Sequence, residues 1–346
     1  MPDAMVGLRY DPAMTFPAVT LTGIEPPGVL AGARVWLHGE GVPPPSADGG
    51  VSIGGLTARV LFAAPDRMAV EVPRAAGPGR SPVRAAWSPG ATLFVDVGAP
   101  LGTGLHQVDS PAIDHDGRVY AAFSGQRGQE SPVSVYRIEP GGGREPFVAG
   151  IVNATSLAFS PHGVLHVSSR FDSAVYRVDR DGHKETLTTD LGVPCGLAFA
   201  SDGSLFVGDR TGTLHHVSAD GAHTTTFATL PPSVAAYHLA MGPDERLYVT
   251  GPTLATHDAI YRFEASGRQE ILDRSFGRPQ GLALDGAGVL HVVEALAGVS
   301  AIYRLGADGS RRTVVSGPGL VGVAFLPGGD LIAATADSVY RFPPLP

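Results

Sequence analysis

Few side chains move protons near neutral pH, and in this sequence His106, His238 and Glu294 are the candidates, as acid, base and partnering carboxylate. Three arginines stand in short polar segments: Arg127 in SGQRGQE, Arg170 in SSRFDS and Arg210 in GDRTG. Their guanidinium forks suit carboxylate or phosphate recognition. Asp209, Asn153, Tyr237 and Gln280 add polar groups for holding a substrate. Bland readings stand beside these. Arg170 with Asp172 and Arg210 with Asp209 could staple their own loops, and the histidines could simply be packed. Cys195 fits a buried small hydrophobe as well as a nucleophile. His166 and His291 occupy a mid-strand position filled elsewhere by Tyr120, Phe206, Tyr248 and Ile332, which reads as packing.

These residues come together only if a repeated framework places them. One pattern occurs six times: a small polar residue or glycine, an apolar alternation, a turn, then a second alternation. The copies are SPAIDHDGRVYAAFS from Ser110, SLAFSPHGVLHVSSR from Ser156, GLAFASDGSLFVGDR from Gly196, HLAMGPDERLYVTGP from His238, GLALDGAGVLHVVEA from Gly281 and GVAFLPGGDLIAATA from Gly322. The turn falls at Gly117, Gly163, Gly203, Glu245, Gly288 and Gly329, so the period is 40 to 46 residues. A second ladder, from Tyr136-Arg137 through Tyr176-Arg177, His215-His216, Tyr261-Arg262 and Tyr303-Arg304 to Tyr340-Arg341, marks a third strand in each copy. A fourth follows after an Asp-Gly-like turn. Four antiparallel strands repeated radially make a β-propeller, here with six blades over residues 99–346.

The sixth copy ends after its third strand. Residues 99–110 align without a gap on residues 145–156, so a strand near residues 98–104 is expected to close the ring beside residues 338–342. In such a ring the inner strand starts at one face and the second strand returns there. The lead-ins, with His106, Gln107, Asp109, Asn153, Thr155, Tyr237, His238 and Gln280, therefore share a face with the loops carrying the arginines, His257, Asp258 and Glu294.

Composition sets limits. With 46 glycines and 30 prolines in 346 residues, a mostly helical fold is excluded. The net charge of −8 argues against nucleic acid. The only lysine, Lys184, sits in a turn sequence, so neither a Walker-type nucleotide site nor pyridoxal phosphate (PLP) is expected. The single cysteine excludes an intrachain disulfide and a cysteine-cluster metal site. No apolar stretch has the length of a membrane span, and residues 1–16, a tail, lack an apolar signal core. A cytoplasmic protein with no membrane partner is the expectation.

Residues 17–98 carry no copy of the repeat but alternate strongly, as at residues 33–37, 58–62, 68–72 and 93–97, with Gly/Pro turns between. They read as a β-sandwich. The order of segments 24–41, 51–60 and 68–87 resembles the TIG domain (immunoglobulin-like, plexin and transcription-factor). That resemblance implies a spacer or protein-contact module without catalysis. Gly50-Val51-Ser52-Ile53-Gly54 matches G-x-S-x-G, but a nucleophile elbow needs a strand-turn-helix setting that an all-β stretch does not supply.

The six copies resemble NHL-type and gluconolactonase/regucalcin-like six-bladed propellers. The lactonase resemblance implies a divalent metal ion, calcium or zinc, on the axis, held at the inner-strand starts. Those positions here are Asp109, Thr155, Cys195, Tyr237, Gln280 and Val321, of which only Asp109 is a good hard-metal ligand. The fold class expected is thus all-β, a six-bladed β-propeller with an N-terminal immunoglobulin-like β-sandwich. The functions to weigh are an enzyme acting on a small anionic or hydroxylated molecule in the central pocket, a lactonase-like hydrolase or a lyase, and a non-catalytic binding propeller for a ligand or protein.

Overall fold

The computed structural model describes residues 20–44, 50–296 and 299–346. The tail assigned to residues 1–16 lies outside them. Every regular element among the described residues is a strand, and no helix is long and apolar enough to cross a membrane.

Six sets of four antiparallel strands follow the repeat, five as separate sheets and the fifth as part of a larger one. Their innermost strands are Ala112–Ile113, Ala154–Phe159, Pro194–Phe199, His238–Met241, Pro279–Leu284 and Leu320–Phe325. Each innermost strand packs on the next, and the sixth packs on the first, so the sheets form a closed ring. The turn ladder explains the spacing. Gly117, Gly163, Gly203, Gly288 and Gly329 have φ between 74° and 89°, and Glu245 takes the same left-handed turn at 56°. Glycine reaches this region without steric cost, which is why it recurs at the tightest point of each hairpin.

Hydroxyls stitch neighbouring sheets near the axis. Ser168 Oγ donates to the Cys195 carbonyl at 2.7 Å, Thr250 Oγ1 donates to the Gln280 carbonyl at 2.6 Å, and Ser110 Oγ accepts from the Val323 amide at 3.2 Å. Closure is as expected. Ala99–Gly102 pairs antiparallel with Val339–Phe342, in the register Ala99 to Arg341 and Pro100 to Tyr340, and supplies the sixth sheet's outer strand.

The N-terminal region has two sheets over one core of Val35, Leu37, Ile53, Met68, Val70, Val83 and Val95. Gly28–Val29 runs parallel to Asp96–Val97 on one side and to Val315–Ser316, the fifth repeat's outer strand, on the other. One nine-stranded sheet therefore joins the two regions. The G-x-S-x-G match lies on a strand, with Ser52 paired to Thr57 across a hairpin. No helix among the described residues completes an elbow.

His166 and His291 pack between sheets, edge-on to Phe199 at 4.7 Å and Phe325 at 4.8 Å. Burial pushes the His166 pKa down to about 4, from an ordinary value near 6.5. Between those values the unfolded chain takes up a proton that the folded one refuses, so stability falls as pH drops from about 6.5 to about 4. The total is about 3 kcal/mol. A His166→Phe variant has no such group to protonate. Its unfolding free energy relative to the native protein is expected to rise by roughly 2 kcal/mol between pH 7 and pH 4.5 in urea titrations; a constant difference would refute the assignment.

Candidate active site

The first residue of five of the six copies is small and is set against the neighbouring innermost strand: Ser110, Ser156, Gly196, Gly281 and Gly322. The packing there leaves little room. A Cβ on Gly322 would stand 2.5 Å from Ser110 Cα, and one on Gly281 would lie 2.8 Å from Gly322 Cα. The sixth residue is His238. It lies in the fourth repeat, opposite the first, and the small residues around it allow its ring to cross the axis.

There His238 meets Asp109, the residue before Ser110. Nδ1 of His238 and Oδ1 of Asp109 are 2.6 Å apart, and the Ser110 amide donates to the same oxygen at 2.7 Å. Both side chains are buried. Against an ionised carboxylate, which only accepts, Nδ1 carries the hydrogen, and in the neutral ring Nε2 then keeps its lone pair. That Nε2 is buried and has no hydrogen-bond partner in the protein. Such an imidazole is oriented by its carboxylate to take a proton from whatever reaches Nε2.

Arg127, Arg170 and Arg210 have no acidic partners among the described residues. Arg170 Nη2 donates to Ser124 Oγ at 3.1 Å, and Arg210 makes only long contacts to the Ser233 and Val234 carbonyls. Burial lowers the Arg170 pKa, and the charges of Arg210 and Arg127 lower it further, which places both within electrostatic reach of Arg170. Cys195 links this group to Asp109, since both Arg170 and Asp109 act on its thiol. The loop-staple pairing does not form. Asp172 instead accepts from Ser169 Oγ at 2.9 Å and Tyr176 at 3.0 Å, and Asp209 accepts from the Val193 amide at 2.8 Å and from Thr211.

Other expected site residues lie elsewhere or are engaged. Glu294 is not the partner of His238: it accepts from the Gly277 amide at 2.6 Å and pairs with Arg311 at 2.9 Å. Tyr237, next to His238, points away into an apolar cluster with Leu230 and Leu239 and donates to the Pro231 carbonyl. His106 is exposed, edge-on to Phe123 at 5.9 Å. Asp209 is consumed by its own loop, and Asn153 by the loop bearing Arg127, where it bonds Ser124, Gln126 and Gly128. Gln280 is half-buried at the start of its strand. Arg127 is exposed.

An axial metal does not fit these side chains. The sole good hard ligand, Asp109, is engaged by His238 and the Ser110 amide, and the remaining axial positions offer Thr155, a buried Cys195, a turned-away Tyr237, Gln280 and Val321. Calcium takes six to eight oxygens and structural zinc four firm ligands. Among the described residues the one cluster with metal-ligand spacing is Asp179, Asp181 and His183, on an exposed turn between outer strands.

No protein-family model matches the chain, and no curated protein matches its sequence. Solved structures do match its shape. A gluconolactonase from Xanthomonas campestris is 19% identical, with 72% of this chain and 92% of that one covered and a TM-score of 0.58. Virginiamycin B lyase from Staphylococcus aureus, in a catalytically inactive form with one histidine changed to alanine and with quinupristin, is 14% identical over 95% and 96% of the chains, TM-score 0.51. An auxiliary nutrient binding protein from Bacteroides thetaiotaomicron is 12% identical over 94% and 97%, TM-score 0.56. At these identities the likeness shows the fold: the chain is an all-β protein of the propeller kind.

Proposed function

We propose that the six sheets are blades of a six-bladed propeller enzyme, preceded by an immunoglobulin-like, TIG-like sandwich, acting on a small anionic or hydroxylated substrate as a lactonase-like hydrolase or a lyase. The observation that carries this reading is the buried Asp109–His238 pair, whose Nε2 has no hydrogen-bond partner, together with Arg170, which lacks an acidic partner and acts on the same Cys195 thiol as Asp109. Arg170 receives the substrate's anionic group while Nε2 takes a proton. Among the described residues no hydroxyl or thiol bonds Nε2. The Cys195 thiol is buried, its pKa is pushed up to about 12 by burial, and it points to the Val193 carbonyl. His238 therefore acts directly on water, giving hydrolysis, or on an acidic C–H, giving elimination. The gluconolactonase and lyase that share the fold are consistent with either. The working partner is then a small molecule in a cytoplasmic setting, with the N-terminal sandwich available for protein contact.

The test is a panel of carboxylated lactones and esters in isotopically labelled water. Hydrolysis puts solvent oxygen into the acid product, whereas elimination yields an unlabelled acid and a conjugated double bond that absorbs in the ultraviolet. Arg170→Ala removes a charge-assisted bond worth roughly 1.5–3 kcal/mol, so anion affinity should fall about ten- to a hundredfold. Binding without turnover across the panel would favour the alternative, a non-catalytic ligand- or protein-binding propeller with the N-terminal region as its contact module.

A further inference from the structure

The loop between the second and third strands of the second sheet, Arg170 to Ser173, interrupts its polar run with Phe171, directly after Arg170. Its side chain is 54% exposed, one of few large apolar side chains left in water. The ring is nevertheless seated. It lies against Gly128 in the loop from the first sheet, where a Cβ would stand 2.9 Å from Phe171 Cε2, and Gly128 has φ of 69°. Gly128 follows Arg127, so the phenyl ring is seated where the loop that bears Arg170 meets the loop that bears Arg127. The seat is held from below by Asn153, buried and itself at φ of 51°, whose side chain accepts from the Gly128 amide at 2.7 Å and donates to the Ser124 and Gln126 carbonyls at 2.6 and 2.8 Å. Ser124 is also the residue that takes Arg170.

We propose that this mouth selects an amphipathic acid, with its carboxylate on Arg170 and an aromatic or acyl body on Phe171. An exposed phenyl in the same loop as an arginine without an acidic partner fits a ligand that is apolar at one end and anionic at the other, because neither a purely polar sugar acid nor an uncharged apolar molecule uses both. The inference rests on the site of the proposed function and narrows its substrate class. A glycine under the ring and an asparagine spent on holding that glycine's amide make the aromatic part of the loop's design.

Calorimetric titration of the full chain with propionate and 3-phenylpropionate, two acids that differ by one phenyl group, tests it. The phenyl acid is expected to bind at least about tenfold more tightly, which corresponds to about 1.4 kcal/mol. Phe171→Ala should bring that ratio close to one without changing propionate affinity, while Arg170→Ala weakens both acids by a similar factor. A ratio near one in the native protein, a ratio unchanged by Phe171→Ala, or no binding of either acid overturns the proposal. The proposed catalysis fails separately: if both acids behave as expected but turnover of the panel is indifferent to His238→Ala, the mouth stands and the enzyme reading falls.

Discussion

Replacing His238 by alanine is expected to lower turnover a hundred- to ten-thousandfold, the range a positioned acid–base group supplies, while leaving anion affinity within a few fold. The separation follows from geometry. In the proposed site the anion is held by Arg170 of the second repeat, whereas His238 belongs to the fourth and bonds no arginine among the described residues. Asp109→Asn sharpens the test because it preserves shape. The amide can donate to Nδ1, moving the ring hydrogen to Nε2, and a base in the wrong tautomer takes no proton; behind a catalytic histidine this change costs about ten-thousandfold. Stopped turnover with retained ligand binding in both variants is the expected result. Turnover that survives Asp109→Asn, or affinity that collapses with His238→Ala, would refute the assignment of roles.

Much of the ring was legible because it is local. Glycine turns at fixed spacing and two-residue alternation are properties of short windows, and the closing strand followed from counting strands in the last copy. The partner of His238 was not legible, because it stands 129 residues away in another repeat. Glu294 looked equally suitable until Arg311 and the Gly277 amide were seen to occupy it. Two signals were nonetheless present. Neighbouring residues of a strand point to opposite sides, so Tyr237 and His238 could not both face the axis. The series Ser110, Ser156, Gly196, His238, Gly281 and Gly322 also breaks its own rule once, and a large polar residue among five small ones marks where the axis is filled. Asn153 was hidden for a different reason. Its partners are backbone groups of another repeat's loop, which no side-chain pattern records.

The small residues also carry the largest expected effect on stability. Gly322→Ala would place a methyl 2.5 Å from Ser110 Cα and 2.9 Å from the Asp109 carbonyl oxygen. Both obstacles are backbone, held by the neighbouring sheet, so neither can swing away as a side chain would. Overpacking of this kind costs about 1–3 kcal/mol and occasionally more, and here the upper end is expected because the ring is closed on both sides. Gly286→Ala is the control: a Cβ there meets nothing within 4 Å, its φ is not in the left-handed region, and a surface change of that kind stays within about 0.5 kcal/mol. Urea unfolding should therefore separate the two glycines by about 3 kcal/mol. Turnover should follow, since the segment that Gly322 crowds is the one that presents Asp109 to His238. If Gly322→Ala unfolds like Gly286→Ala and keeps its activity, the inner strands are not packed against one another at the axis, and the reason given for the position of His238 is wrong.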